Sequence, residues 1–399
     1  MRTTIGLEVL AANPAKARSW GKCGLLINQA SVDGRITASQ LVLKGLLKSR
    51  LAVLFSPQHG IFADKQDNMI ESGHGTDSLS GLPFYSLYSD VREPSDSMLE
   101  GLDTVIVDIQ GVGTRVYTFA YTMAGIMRKC ASMGKKVVVL DRPNPLGGVV
   151  IEGNILDEES KSFVGEYRLP MRHGMTMGEL ARWFNETEGI DADLEVVHMR
   201  GWKRNMLWQD TGRTWIMTSP NIPTAETTVV YPGMVPIEGT NLSEGRGTTM
   251  PFLNVGAPYL HRHKEWLELL NMMCDCSGLA LRPAVFEPTF HKWSGETCRG
   301  VQFVALDAAK VRSYQLGLGV LIASMHVAPD AFEYKKPPYE YETVRPPIQL
   351  LLGSSVLPRR LQELASGKLG KNSLRELEEE WSASLREFRR QRSHVLLYS

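Results

Sequence analysis

Along the first half of the chain, short apolar runs alternate with polar or Gly/Pro turns and with segments of helical period. The runs predict strands over 24–28, 52–55, 104–109, 136–141, 194–199 and 214–218, and the period predicts helices over 37–48, 119–133 and 177–188. Several runs are apolar almost throughout, as strands covered by helices on both faces must be. Strands alternating with helices predict an α/β fold, a Rossmann-like, doubly wound and mostly parallel sheet.

Such a sheet binds ligands beyond the carboxyl ends of its strands, near the point where strand order reverses. The predicted strand ends here are polar: Gln29, Gln58-His59, Asp108-Ile109-Gln110, Asp141-Arg142-Pro143-Asn144 and Ser219-Pro220-Asn221. Segment 61–97 is too long for an ordinary strand-to-helix loop. It carries Asp64, Asp67, Glu71, His74, Asp77, Tyr85 and Tyr88, and predicts a flap that brings carboxyls over the rim.

After Tyr231 the pattern changes to a glycine-rich polar run, 238–249, followed by mixed segments. A strand is predicted over 301–306 and helices over 313–327 and 374–392, the last with Leu374, Leu377, Trp381, Leu385 and Phe388 on one stripe. Pro-rich runs 336–341 and 345–347 read as connections. The expected division is a Rossmann-like catalytic domain over 1–225 and a smaller α+β domain over 226–399 that closes a cleft.

Charge narrows the partners. Lys+Arg and Asp+Glu number 44 each, so no net field favours nucleic acid or an anionic membrane. No apolar run approaches the ~20 residues of a membrane span, and the first residues lack the apolar core of a signal peptide, so a cytoplasmic protein is expected. The cysteines (Cys23, Cys130, Cys274, Cys276, Cys298) are odd in number and scattered, which predicts free thiols.

Several motifs admit dull readings. Gly111-Val112-Gly113 follows a predicted strand, but Val116 stands where a dinucleotide fingerprint needs its third glycine, and no P-loop occurs. No cofactor is expected. Arg115 and Tyr117, just beyond, are candidates for binding a substrate carboxylate or hydroxyl. His59 and His173 each precede a glycine in a turn, without a third ligand at metal spacing, so no metal is expected. Thr176-Met-Gly-Glu179 reads as a helix capping box. With no Gly-x-Ser-x-Gly elbow and no cysteine placed beside a histidine, nucleophilic hydrolase chemistry is unsupported. Carboxyl chemistry remains, and Glu71, Asp108, Asp141, Glu152, Glu238 and Glu244 all lie in turns or at strand ends. Glycosidic cleavage needs two such groups, and spacing along the chain does not choose the pair.

Seven runs stand in order: Ser-Pro-Gln-His-Gly (56–60), Val-Asp-Ile-Gln-Gly-Val-Gly-Thr-Arg-Val-Tyr-Thr (107–118), Leu-Asp-Arg-Pro-Asn-Pro-Leu-Gly-Gly (140–148), Arg-His-Gly-Met-Thr-Met-Gly-Glu-Leu (172–180), Ser-Pro-Asn-Ile-Pro-Thr (219–224), Glu-Gly-Thr-Asn-Leu-Ser-Glu-Gly-Arg-Gly-Thr-Thr (238–249) and Phe-His-Lys-Trp-Ser-Gly-Glu-Thr-Cys (290–298). Together they resemble the exo-β-N-acetylmuramidase family, from about Gly6 to Tyr398. The resemblance implies an active site in the cleft between the two domains and exo-acting release of N-acetylmuramic acid from peptidoglycan fragments, without a cofactor. It implies two catalytic glutamates at the positions of Glu71 and Glu152; of the two, Glu152 is expected to be the general acid, through partial burial in the cleft, with Glu71 its partner. Gln58, His59, Asp108, Arg115, Tyr117, Asn144, His173, Asn221, Glu238, Asn241 and Arg246 would bind the sugar, and Arg115 or Arg246 would pair with the lactyl carboxylate. One departure is Gln58, where many relatives carry glutamate; a glutamine there binds a hydroxyl but moves no proton. The expected partner is a small carbohydrate, with homo-oligomerisation left open. Two other readings stay open, a sugar- or muropeptide-binding protein without chemistry and an α/β hydrolase acting on a sugar phosphate.

Overall fold

The computed structural model describes residues 2–62, 73–89 and 91–399. In chain order the strands are β1 (Cys23–Ile27), β2 (Leu51–Ser56), β3 (Gly75–Thr76), β4 (Pro83–Ser86), β5 (Thr104–Asp108), β6 (Lys136–Leu140), β7 (Glu152–Ile155), β8 (Pro170–Arg172), β9 (Asp193–Val197), β10 (Asn254–Ala257), β11 (Leu279–Phe286) and β12 (Cys298–Ala305). Among the described residues, seven of them make one sheet in the order β3-β4-β2-β1-β5-β6-β9. β3 is antiparallel at one edge, and the other pairings are parallel. β2 lies on one side of β1 and β5 on the other, so strand order reverses at β1, the doubly wound arrangement.

Period-two alternation assigns the two faces. Leu25, Ile27, Ile106, Val138 and Leu140 point to the face covered by helices Gly6–Ala12 and Ser39–Leu47. Leu26, Val105, Val107, Val137 and Val139 point to the other, under helices Phe119–Ser132 and Met177–Glu186. β1 and β5 are buried along their whole length, which is why their sequences read as continuous apolar runs.

The smaller C-terminal domain has an antiparallel sheet in the order β10-β12-β11. Its helix Ser313–Val327 is buried on nearly every side. It packs on helices Ala225–Met234, His263–Met273 and Leu357–Ala365. Gly233 and Gly317 let the first of these crossings close: a Cβ on Gly233 would lie 1.6 Å from the Ser313 carbonyl oxygen. The chain end returns to the first domain. Arg392 donates to the carbonyls of Gly148, His173 and Gly174, and the Tyr398 hydroxyl donates to Asp141 at 2.6 Å.

Three expectations change. Segment 214–218 is not a strand; β9 already forms that edge of the sheet, and the segment instead crosses the rim. There Trp215 packs edge-on against Trp208, and the Met217 carbonyl accepts from the Gln29 side chain at 2.7 Å. The helix predicted over 374–392 is two, Ser373–Glu379 and Ser382–Arg392. The break falls at Trp381, whose ring turns onto Tyr314, while Leu374, Leu377 and Phe388 still bury the predicted stripe. Part of the predicted flap belongs to the sheet, because β4 pairs in parallel with β2. Glu71, Asp64 and Asp67 lie outside the described residues. The five cysteines are free, four of them buried.

Candidate active site

Beyond the carboxyl ends of β2 and β5 the two domains form a cleft, partly open to solvent. From the first domain it is lined by Gln58, His59, Tyr117, Thr118, Ser219 and Asn221, and from the second by Tyr231, Glu238, Arg246, Phe252, Tyr339 and Glu340.

The local chain explains each placement. Pro57 ends β2, and the turn that follows holds His59 at φ 72° and Gly60 at φ 77°, so the chain reverses and Gln58 enters the cleft. A left-handed histidine is uncommon, and such conformations gather at functional sites. Thr118 stands at the N-cap of helix Phe119–Ser132, where its hydroxyl donates to Gln58 Oε1 at 2.8 Å. That bond fixes the amide orientation, so Gln58 Nε2 donates to Glu340 Oε1 at 3.0 Å. The Tyr88 hydroxyl reaches the other oxygen, Oε2, at 2.7 Å. The Tyr117 hydroxyl donates to Thr218 Oγ1 at 2.7 Å.

Across the cleft, Glu238 Oε1 meets Arg246 Nη2 at 2.5 Å and its Oε2 accepts from the Tyr339 hydroxyl at 2.7 Å. Gly245 and Gly247, at φ 78° and 80°, bracket Arg246. Side chains there would collide with the Asn254 and Phe290 carbonyls, so the Glu-Gly-Arg-Gly run is the only way this tight loop can present its guanidinium. Behind it, Glu244 pairs with Lys292 at 2.7 Å and with Arg246 at 3.3 Å.

Burial sets the proton affinities. It pushes the Glu340 carboxyl above the usual range; the Tyr88 and Gln58 donors oppose this and the charge of Glu238 adds to it. Burial also raises Tyr117, Tyr231 and Tyr339, so these hydroxyls stay protonated and can donate. Glu244 feels the same burial, but Lys292, Arg246 and His291 outweigh it and hold the carboxyl well below its ordinary range. Lys292 is pushed down to about 8 by burial, with Glu244 opposing.

Of the residues singled out in the sequence, Gln58, His59, Tyr117, Asn221, Glu238 and Arg246 meet in this cleft. Others do not line it. Glu152, expected as the general acid, is bound at 2.7 Å to Arg172 and accepts the Tyr314 backbone N–H at 3.1 Å, under a separate surface groove. Asp108 is fully buried and holds Arg142 through both oxygens, at 2.6 and 2.8 Å. Arg115 spends its guanidinium on the carbonyls of Asn154, Leu169, Leu351 and Leu352. Asn144 ties its own turn to Met175 and Leu146. Asn241 bridges Ala331, Tyr259 and Glu333. His173 lines a neighbouring cavity and accepts the Met175 N–H. Glu179 is the helix cap it was expected to be, and also holds Arg204 at 2.6 Å. Sequence reasoning missed Glu340 and Tyr339, because Lys336-Pro-Pro-Tyr-Glu-Tyr341 reads as a linker. Its one signal is a carboxyl set between two tyrosines.

Among the described residues, no group of three or more His, Cys, Asp or Glu side chains is placed to hold a metal ion. No helix among them is long and apolar enough to cross a membrane.

The model of the N-terminal domain of exo-beta-N-acetylmuramidase NamZ matches residues 23–226, and that of its C-terminal domain matches residues 229–398. The chain belongs to the exo-β-N-acetylmuramidase family. A member from Bacillus subtilis (strain 168), peptidoglycan beta-N-acetylmuramidase, is 44% identical over 329 residues, covering 82% of this chain and 79% of its own. Two crystal structures of DUF1343 family proteins from Bacteroides fragilis NCTC 9343 are similar throughout. One has a TM-score of 0.86 at 29% identity, the other 0.73 at 28%, each covering 100% of this chain and 99% of its own. The α/β architecture with its smaller second domain is therefore shared with these two structures.

Proposed function

We propose that the chain is an exo-acting glycoside hydrolase that releases N-acetylmuramic acid from the non-reducing end of peptidoglycan fragments, and that it does so in the cleft of Glu238 and Glu340. Family membership and the activity named for the Bacillus subtilis relative support this reading. The observation that carries it within the structure is a pair of buried carboxyls facing one small-molecule cavity lined with hydroxyls and amides. Cleavage of a glycoside asks for two carboxyl groups and a polar wall that orients the ring. Gln58, His59, Tyr117 and Asn221 supply that wall. Arg246, the cleft's guanidinium, faces the lactyl carboxylate that distinguishes a muramide from a glucosaminide.

The test is release of the aglycone from a chromogenic β-N-acetylmuramide beside the matching β-N-acetylglucosaminide. Turnover of the muramide alone is the expected result. Equal turnover of both removes the role given to Arg246, and saturable binding without turnover makes the chain a sugar-binding protein.

A further inference from the structure

We propose that Glu340 is the proton donor of the cleft, the catalytic acid that protonates the departing glycosidic oxygen, and that Gln58 and Tyr88 are the residues that aim it. The proposal rests on the glycosidase reading above. Two carboxyls face the cavity, and their partners separate their roles. Glu238 is held against the guanidinium of Arg246 and a tyrosine hydroxyl. Glu340 receives its described hydrogen bonds from two neutral donors, the Gln58 amide and the Tyr88 hydroxyl. The guanidinium contact sets Glu238 apart, and Glu340, buried and facing the same cavity, is assigned the proton.

The backbone gives a second, independent observation. Tyr339 and Glu342 exchange both backbone hydrogen bonds, at 2.8 and 2.9 Å, so Glu340 and Tyr341 form the corner of a two-residue hairpin. Both corner residues have positive φ, 45° and 69°, as in a type I′ turn, where glycine and asparagine are the ordinary occupants. A glutamate and a tyrosine in that corner, with the glutamate buried in a cleft, mark a conformation kept for what the side chain does. The amide of Gln58 is itself locked by Thr118, so the carboxyl is held from the cleft wall and not by solvent.

In the step, the O–H bond of Glu340 breaks and its proton passes to the glycosidic oxygen. The bond from C1 to that oxygen breaks with its electron pair on the leaving sugar. Glu238 faces the positive charge that develops at C1. The water that adds to C1 gives up one proton, so the carboxyl pair ends with the proton count it began with.

Among the described residues, the groups that face Glu340 include Tyr88, Tyr341, Glu238, Arg246, Tyr231 and Tyr339, with His59 on the cavity wall. Burial raises Glu340, with the Glu238 charge adding, and the donors Tyr88 and Gln58 work against it. Loss of a donor therefore raises the carboxyl further.

The experiment compares wild type, Glu340→Gln and Tyr88→Phe on two β-N-acetylmuramides, one with a 4-nitrophenyl aglycone and one with a sugar aglycone. Glu340→Gln is expected to lose a factor of about 10²–10⁴ on the sugar aglycone, which needs protonation, and far less on 4-nitrophenol, which leaves unaided. It should also lose the alkaline limb of kcat/KM. Tyr88→Phe should move that limb to higher pH, a readout a structural role would not give and one that does not depend on how Glu340→Gln folds. Equal losses on both aglycones, with an unmoved alkaline limb in Tyr88→Phe, overturn the assignment while the glycosidase reading stands. A wild-type chain that turns over neither substrate overturns both.

Discussion

His173 shows how burial, with a nearby positive charge, keeps a titratable ring neutral. Three per cent of its surface is exposed, and burial, reinforced by the nearby Arg392 charge, pushes its pKa down from 6.5 to about 3. The folded state therefore holds a neutral ring whose Nδ1 accepts from the Met175 N–H. Below pH 6.5 the unfolded chain takes up a proton that the folded chain refuses, so stability is fully present above that pH and falls as pH drops toward 3. The loss should be about 1.4 kcal/mol per pH unit. Urea unfolding at pH 7, 6, 5 and 4 should show it, and His173→Asn should flatten that part of the profile. An unchanged slope in the variant would place the acid sensitivity elsewhere. The same scale explains Gly245 and Gly247: the sequence shows only a glycine-rich polar run, and their positive φ and close backbone contacts appear in the structure.

At the scale of elements, the parallel sheet follows from its apolar runs, and the site follows from how two helices cross. Helix Ala225–Met234 carries Tyr231, and the turn after it carries Glu238. Both reach the cleft because that helix lies tight on Ser313–Val327 at Gly233 and Gly317. Gly233→Ala must push the helices apart, since its Cβ would meet backbone and not a side chain that can swing away. Overpacking of this kind costs about 1–3 kcal/mol or more. The expected outcome is a lower midpoint in thermal unfolding together with weaker muramide binding, as Glu238 moves with the helix. A variant as stable as wild type would mean that the crossing is softer than the backbone distances imply. The hairpin at 339–342, just after Pro337-Pro338, is the opposite case. No apolar period marks it, so it was legible only as a connection, and its pairing places the Glu340 carboxyl on the cleft wall.

For the whole molecule, the chain end clamps the first domain from outside its own fold. Asp141, at the end of β6, accepts from the Arg142 and Gly178 backbones and from the hydroxyls of Thr176 and Tyr398. Burial pushes this carboxyl up to about 6, and the Tyr398 hydroxyl is foremost among the donors that pull it back. At neutral pH it is still an anion, and removing one of its donors exposes the burial cost. Tyr398→Phe should cost about 1.5–3 kcal/mol of stability, the range for a hydrogen bond to a charged group. Hydrogen exchange should show earlier opening of the 141–148 turn. A loss smaller than a few tenths of a kcal/mol would show that the tail merely rests on the surface.

The sequence by itself determined the layers: apolar runs and helical period are local, and once buried on both faces a run such as Leu25-Leu26-Ile27 has one stable use. It also determined the family, through seven runs that stand in order along the chain. Only the tertiary structure decided which carboxyls face a cavity. Glu152 and Glu340 look alike in sequence, each a glutamate in a turn. One is held by Arg172 from the adjacent strand, and the other, nearly two hundred residues later, is delivered to Gln58 and Tyr88. The physical reason is that a carboxyl's role depends on its partners and its burial, and both are set by contacts between residues far apart in the chain.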